Sequence, residues 1–78
     1  SLMDATSRLA QHFLGAMEPG TGLVRLPAGK GQTASSLGMA VETFSRTLTK
    51  FKDDGVIKEA SPGVLQILDQ ERLKKYTS

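Results

Sequence analysis

Two glycines, Gly38 and Gly55, bracket a run with the periodicity of a one-sided helix, and that run constrains the fold more than any other part of the chain. On a wheel of about 100° per residue with Glu42 as origin, Ser45 falls near 300°, Thr49 near 340° and Arg46 near 40°. Phe44, Thr47, Leu48 and Phe51 fall between about 140° and 240°, on the opposite side. The spacing therefore predicts a helix from Val41 to about Asp54, apolar on one stripe and polar on the other, stopped by Gly55. Such a helix is stable only if other elements cover its apolar stripe. The chain has 78 residues to supply them, enough for one small domain that buries about 62% of its unfolded surface.

The covering elements are read from local signals. Leu9, Ala10, Phe13, Leu14 and Met17 lie at i, i+3/i+4 spacing and predict a first helix from about Met3 to Met17, capped by Asp4 and stopped by Glu18-Pro19-Gly20. Leu23 to Leu26 is β-prone and is closed by Pro27, which fits an edge strand or an extended connector. A short helix is expected from Lys30 to Leu37, with Ala34 and Leu37 facing inward and Gly38 taking a left-handed turn. After Gly55, Val56–Glu59 and Val64–Leu68 read as the arms of a hairpin around Ala60-Ser61-Pro62-Gly63. Asp69 is placed to cap a last short helix through Leu73 to about Tyr76.

Two helices joined by a tight glycine turn and followed by a hairpin make a winged helix-turn-helix, mainly α with a small β-hairpin. The expected organisation is a single domain over 1–78: a supporting helix and loop (1–22), the helix-turn-helix (28–55), the wing (56–68) and a short C-terminal helix (69–76). Ala34 is small enough to let the two motif helices approach, and Phe44 supplies the apolar plug between them.

The polar stripe carries the chemistry of base recognition. Glutamate accepts from a cytosine amino group, arginine chelates a guanine edge with two bonds, and serine serves several bases, so Glu42, Ser45 and Arg46 are candidate base contacts. Lys30, Thr43 and Lys50 are candidate contacts to backbone phosphates. The same residues also suit a plain solvated face. Glu42 and Arg46 have the i, i+4 spacing of a surface ion pair worth a few tenths of a kcal/mol. Ten Lys plus Arg against eight Asp plus Glu, a net charge of +2, is too mild to decide between these readings. An alternative use of the same fold is docking on a protein partner through the exposed helix or wing, without reading DNA.

Other chemistries find little support. The chain has no cysteine, which excludes a disulfide framework, a thiolate zinc site and a cysteine nucleophile. His12 is the single histidine and reads as structural, so no metal site is expected. Gly29-Lys30-Gly31-Gln32-Thr33 lacks the order of a phosphate-binding loop, and no serine stands in a nucleophile elbow, so no catalytic residue is expected. Met17, Met39 and Phe13 read as packing residues. No apolar run reaches the length of a membrane span and no signal sequence opens the chain, which begins Ser1-Leu2-Met3; a soluble piece of a longer protein is expected.

Leu37-Gly38-Met39-Ala40-Val41-Glu42-Thr43-Phe44-Ser45-Arg46-Thr47-Leu48, continuing through Phe51-Lys52-Asp53-Asp54-Gly55-Val56-Ile57, resembles the C-terminal winged helix-turn-helix of Crp/Fnr-type transcription regulators. The resemblance spans about Leu26 to Leu73. It implies that Glu42, Ser45 and Arg46 make the base contacts of a recognition helix, that Thr43 supports a phosphate contact, and that Lys30 sits where a basic residue grips the backbone. Val41 stands where the cyclic-AMP receptor branch has arginine. Val-Glu-Thr-x-Ser-Arg is closer to the Fnr branch, implying an inverted repeat of half-sites similar to TTGAT. Thr33 departs from the large aliphatic residue usual at its position, and the wing around Pro62 is not distinctive. The resemblance also implies a bacterial, cytoplasmic regulator that is a homodimer when intact and is compatible with contact to RNA polymerase. The effector-binding β-roll and long dimerisation helix of the family have no counterpart in this sequence, so no cofactor is expected in this domain and the effector is unspecified.

Overall fold

The computed structural model describes residues 4–78. Helix α1 (Ala5–Ala16) starts where the Asp4 carboxylate accepts a hydrogen bond from the Ser7 N–H at 2.8 Å, the expected cap. Met3, expected at the start of this helix, lies outside the described residues. The helix ends before Pro19, with Met17 as its half-buried cap. Strand β1 (Leu23–Arg25) leads to helix α2 (Gly29–Ser36) and helix α3 (Val41–Asp53), the helix-turn-helix pair.

Both motif helices end in the same way, and the hydrogen bonds show why glycine is needed. At the end of α2, Gly38 takes φ +64°, its N–H donates to Ser35 O at 3.0 Å, and the Met39 N–H reaches back to Ala34 O at 2.9 Å. At the end of α3, Gly55 takes φ +73°, with Gly55 N–H to Lys52 O at 3.0 Å and Val56 N–H to Phe51 O at 3.1 Å. These paired bonds satisfy carbonyls that a helix end otherwise leaves free, and the left-handed residue between them tolerates no Cβ without strain. Leu37, expected inside α2, is its half-buried cap instead. The Arg8 guanidinium of α1 donates to Leu37 O and ties the turn to the supporting helix.

The wing is larger than a hairpin. Strands β2 (Ile57–Ser61) and β3 (Val64–Ile67) are antiparallel, and β1 pairs with the other edge of β3, giving the order β1-β3-β2. The Leu23–Leu26 run is thus an edge strand, with Val24 opposite Leu65, both fully buried. The expected four-residue turn is corrected to Pro62-Gly63. Ser61 pairs with Val64 and a bulge between Glu59 and Ser61 absorbs Ala60, so the strand continues two residues past Glu59. Val56 lies just outside the arm because its N–H completes the end of α3, although its C=O still accepts from Leu68 of the opposite arm at 2.8 Å.

Helix α4 (Gln70–Lys75) closes the body, with the Asp69 carboxylate accepting from the Arg72 N–H at 3.0 Å. Phe13 stands at the centre of the core, with edge-on rings of Phe44 at 6.4 Å and Phe51 at 6.3 Å between centroids. All three are fully buried, each contributing about 1.5–3 kcal/mol from area alone. Leu9, Leu48, Ile57, Leu65 and Leu73 fill the remaining space from five different elements. The Ser7 hydroxyl donates to Tyr76 O at 2.6 Å and joins the two ends of the chain.

Candidate nucleic-acid interface

The exposed face of α3 carries the site. Phe44, Thr47, Leu48 and Phe51 are buried, and Glu42, Ser45, Arg46 and Thr49 are exposed, as the wheel requires. Among the described residues, Glu42 and Arg46 make no ion pair with each other or with any neighbour, so the spacing does not produce the surface pair it permits. Among the described residues, Ser45 and Arg46 make no hydrogen bond from their side chains, which leaves both free to turn outward. Val41, at the first turn of the same helix, is 48% exposed.

The start of α3 differs from the starts of the supporting helices. Asp4 and Asp69 cap α1 and α4, whereas Ala28 and Ala40 stand at the cap positions of α2 and α3 and offer no side-chain acceptor. The first N–H groups of α3 therefore have no capping side chain and carry partial positive charge. Thr43 is half-buried in this first turn.

Charged groups border the stripe on both sides. On one side Lys50 lies 5.5 Å above the ring of Tyr76, which itself packs 5.0 Å from Phe51. The Tyr76 hydroxyl donates to Asp54 at 2.6 Å and Arg72 donates to the other carboxylate oxygen at 2.5 Å. The Tyr76 hydrogen bond, and then the Arg72 charge, hold the Asp54 carboxyl below its usual range, while the same bond pushes the Tyr76 phenol up. A shallow groove of about 520 Å³ runs between this network and Arg46, lined also by Thr49 and Asp53. On the other side Lys30, the candidate phosphate contact, is already paired. Its ammonium lies 3.5 Å from Glu59 of β2, which also takes a hydrogen bond from Lys52 at 3.1 Å. Lys52 and then Lys30 hold the Glu59 carboxyl below its ordinary value.

Lys52, Glu59 and Tyr76 were not singled out by sequence reasoning. Lys52 falls near 280° on the wheel, beside Ser45, and was there to be found. Glu59 and Tyr76 approach the stripe only through the wing and α4, and no local signal marks them.

A family model for the Crp-like helix-turn-helix domain matches residues 7–76. The chain belongs to this family. Among solved structures, the Crp-like fold here is similar to CooA from Carboxydothermus hydrogenoformans, a CO-dependent transcription factor, with 27% identity and a TM-score of 0.84 over 96% of this chain and 37% of that one. It is similar to DNR from Pseudomonas aeruginosa at 33% identity and a TM-score of 0.77, covering 92% of this chain and 33% of that one. The catabolite activator protein of Thermus thermophilus matches at 26% identity and a TM-score of 0.75, over 94% of this chain and 33% of that one. No curated protein sequence matches. The chain thus spans little more than a third of the structures it resembles. Among the described residues no helix is long and apolar enough to cross a membrane.

Proposed function

We propose that this chain is the sequence-specific DNA-binding module of a Crp/Fnr-type transcription regulator, with α3 lying in the major groove of an inverted-repeat site. The observation that carries the reading is the exposed stripe of Glu42, Ser45 and Arg46, unbonded among the described residues, on the second helix of a helix-turn-helix. Arg46 supplies two donors to a guanine edge. Glu42 accepts from a cytosine amino group and repels acceptor edges, so it rejects wrong bases as much as it favours the right one. Ser45 is short enough to sit between them. Thr43 and the uncapped N–H groups of the first turn suit a phosphate on the Arg46 side, where Lys50 also lies.

The intact regulator is a homodimer on this reading, because two copies of α3 set about one helical turn apart would match an inverted repeat of TTGAT-like half-sites. One copy binds weakly. Fluorescence anisotropy of the chain on such a duplex and on a scrambled one, across a salt series, tests the proposal. The repeat is expected to bind more tightly, and Arg46→Ala is expected to remove about 1–3 kcal/mol of that preference while leaving the circular dichroism spectrum unchanged. Equal affinity for both duplexes, unaffected by Arg46→Ala, overturns sequence reading by this helix. Failure to bind any duplex favours docking on a protein partner.

A further inference from the structure

Lys30 and Lys52 reach the same atom from two helices. Their ammonium groups lie 3.5 and 3.1 Å from Oε1 of Glu59. Lys30 opens α2, Lys52 lies near the end of α3 and Glu59 is on β2, so both motif helices and the wing meet at one carboxylate oxygen. The three side chains keep between 33% and 39% of their surface exposed, so the cluster is open to solvent. Lys52 borders Ser45 on the wheel, on the side of the stripe opposite Lys50.

Two ammonium groups repel each other, and they converge here only because an anionic oxygen sits between them. A DNA phosphate offers the same kind of oxygen. We propose that Lys30 and Lys52 form a phosphate-gripping site on the wing side of α3 and that Glu59 is its internal competitor, filling the site in the free protein and giving way to a backbone phosphate on binding. This rests on the DNA-binding reading above. Lys52 then joins the backbone contacts, and the Glu59 carboxylate lowers affinity for every sequence alike. A glutamate is already ionised at neutral pH, and the hydrogen bond from Lys52 holds its carboxyl below the ordinary value, so the competition is not relieved by protonation.

The salt dependence follows from charge bookkeeping. When a phosphate takes the two lysines, the displaced Glu59 recruits a cation from solution, which cancels part of the counterion release that drives binding. Glu59→Gln removes that uptake. On a scrambled duplex it is expected to bind about three- to tenfold more tightly than wild type near 0.1 M salt, with the log–log salt slope steeper by about one unit. In a Lys30→Ala/Lys52→Ala background the same substitution is expected to give at most a small fraction of that gain. Lys52→Gln alone is expected to weaken scrambled and repeat duplexes equally, which tests the site independently should Glu59→Gln disturb the wing. If wild type binds DNA and Glu59→Gln brings no gain, or the gain persists in the double-lysine background, the competitor is overturned while the DNA-binding reading stands. If wild type binds no duplex, both fall.

Discussion

The two sides of the exposed stripe on α3 carry similar lysines and treat them differently. On the α4 side Lys50 rests over the Tyr76 ring, which attracts the cation without cancelling its charge. On the wing side Lys30 and Lys52 share one carboxylate, Glu59, which offsets one of their two charges. On the proposed DNA-binding reading, the first arrangement would hold an ammonium ready for an incoming phosphate. The second would make the phosphate compete. Counting lysines near a helix therefore does not measure what a duplex would meet; what each lysine is already doing matters more than its presence.

The largest effect expected from breaking this contrast comes from below the α4 side. Phe51 supports the Tyr76 ring, so Phe51→Ala should cost about 3–5 kcal/mol of stability and loosen Lys50, as urea unfolding would show. Next come the lysines themselves. Lys50→Ala should flatten the salt slope of DNA binding by about one unit, and Lys30→Ala by less, because Glu59 already offsets its charge. Equal slopes for the two variants would erase the distinction between the sides. Tyr76→Phe keeps the ring and removes the donor to Asp54. It should lower the thermal midpoint slightly and leave DNA affinity unchanged, whereas Tyr76→Ala should weaken binding as Lys50→Ala does.

The smallest effect is a shared one. Asp54 and Glu59 are both held below their ordinary values of 3.8 and 4.5, Asp54 chiefly by the Tyr76 hydrogen bond and Glu59 chiefly by Lys52. A depressed carboxyl contributes stability that is present above its unfolded value and lost as pH falls through the folded one. Urea midpoints should accordingly change little between pH 7 and 5 on account of these groups and decline below about pH 4.5, where their ordinary titration begins. In Glu59→Gln part of that decline should disappear. An identical acid profile in the variant would show that the wing-side bridge adds nothing to folding, as is common for exposed pairs.

Much of this molecule is legible because the deciding physics is local. The two faces of α3 follow from a period of about 3.6 residues, and the aspartate caps and glycine stops follow from backbone groups a few residues away. The wing turn is less legible, since Ala60-Ser61-Pro62-Gly63 is turn-prone throughout and only the pairing of Ser61 with Val64 restricts the turn to its last two residues. The joining of β1 to β3 is also invisible in the run itself. Leu23–Arg25 has no partner nearby in sequence and is drawn into the sheet by burying Val24 against Leu65.

What the amino-acid order determined alone is which residues face out of α3: Glu42, Ser45, Arg46 and Thr49, with Phe44, Thr47, Leu48 and Phe51 turned in. Folding decided how their surroundings are charged, because it brought Glu59 to Lys30 across 29 residues of chain and Tyr76 beneath Lys50. Periodicity is a property of neighbouring residues and can be read along a line. Electrostatics falls off with distance through space, and those distances exist only once the strands and helices have packed.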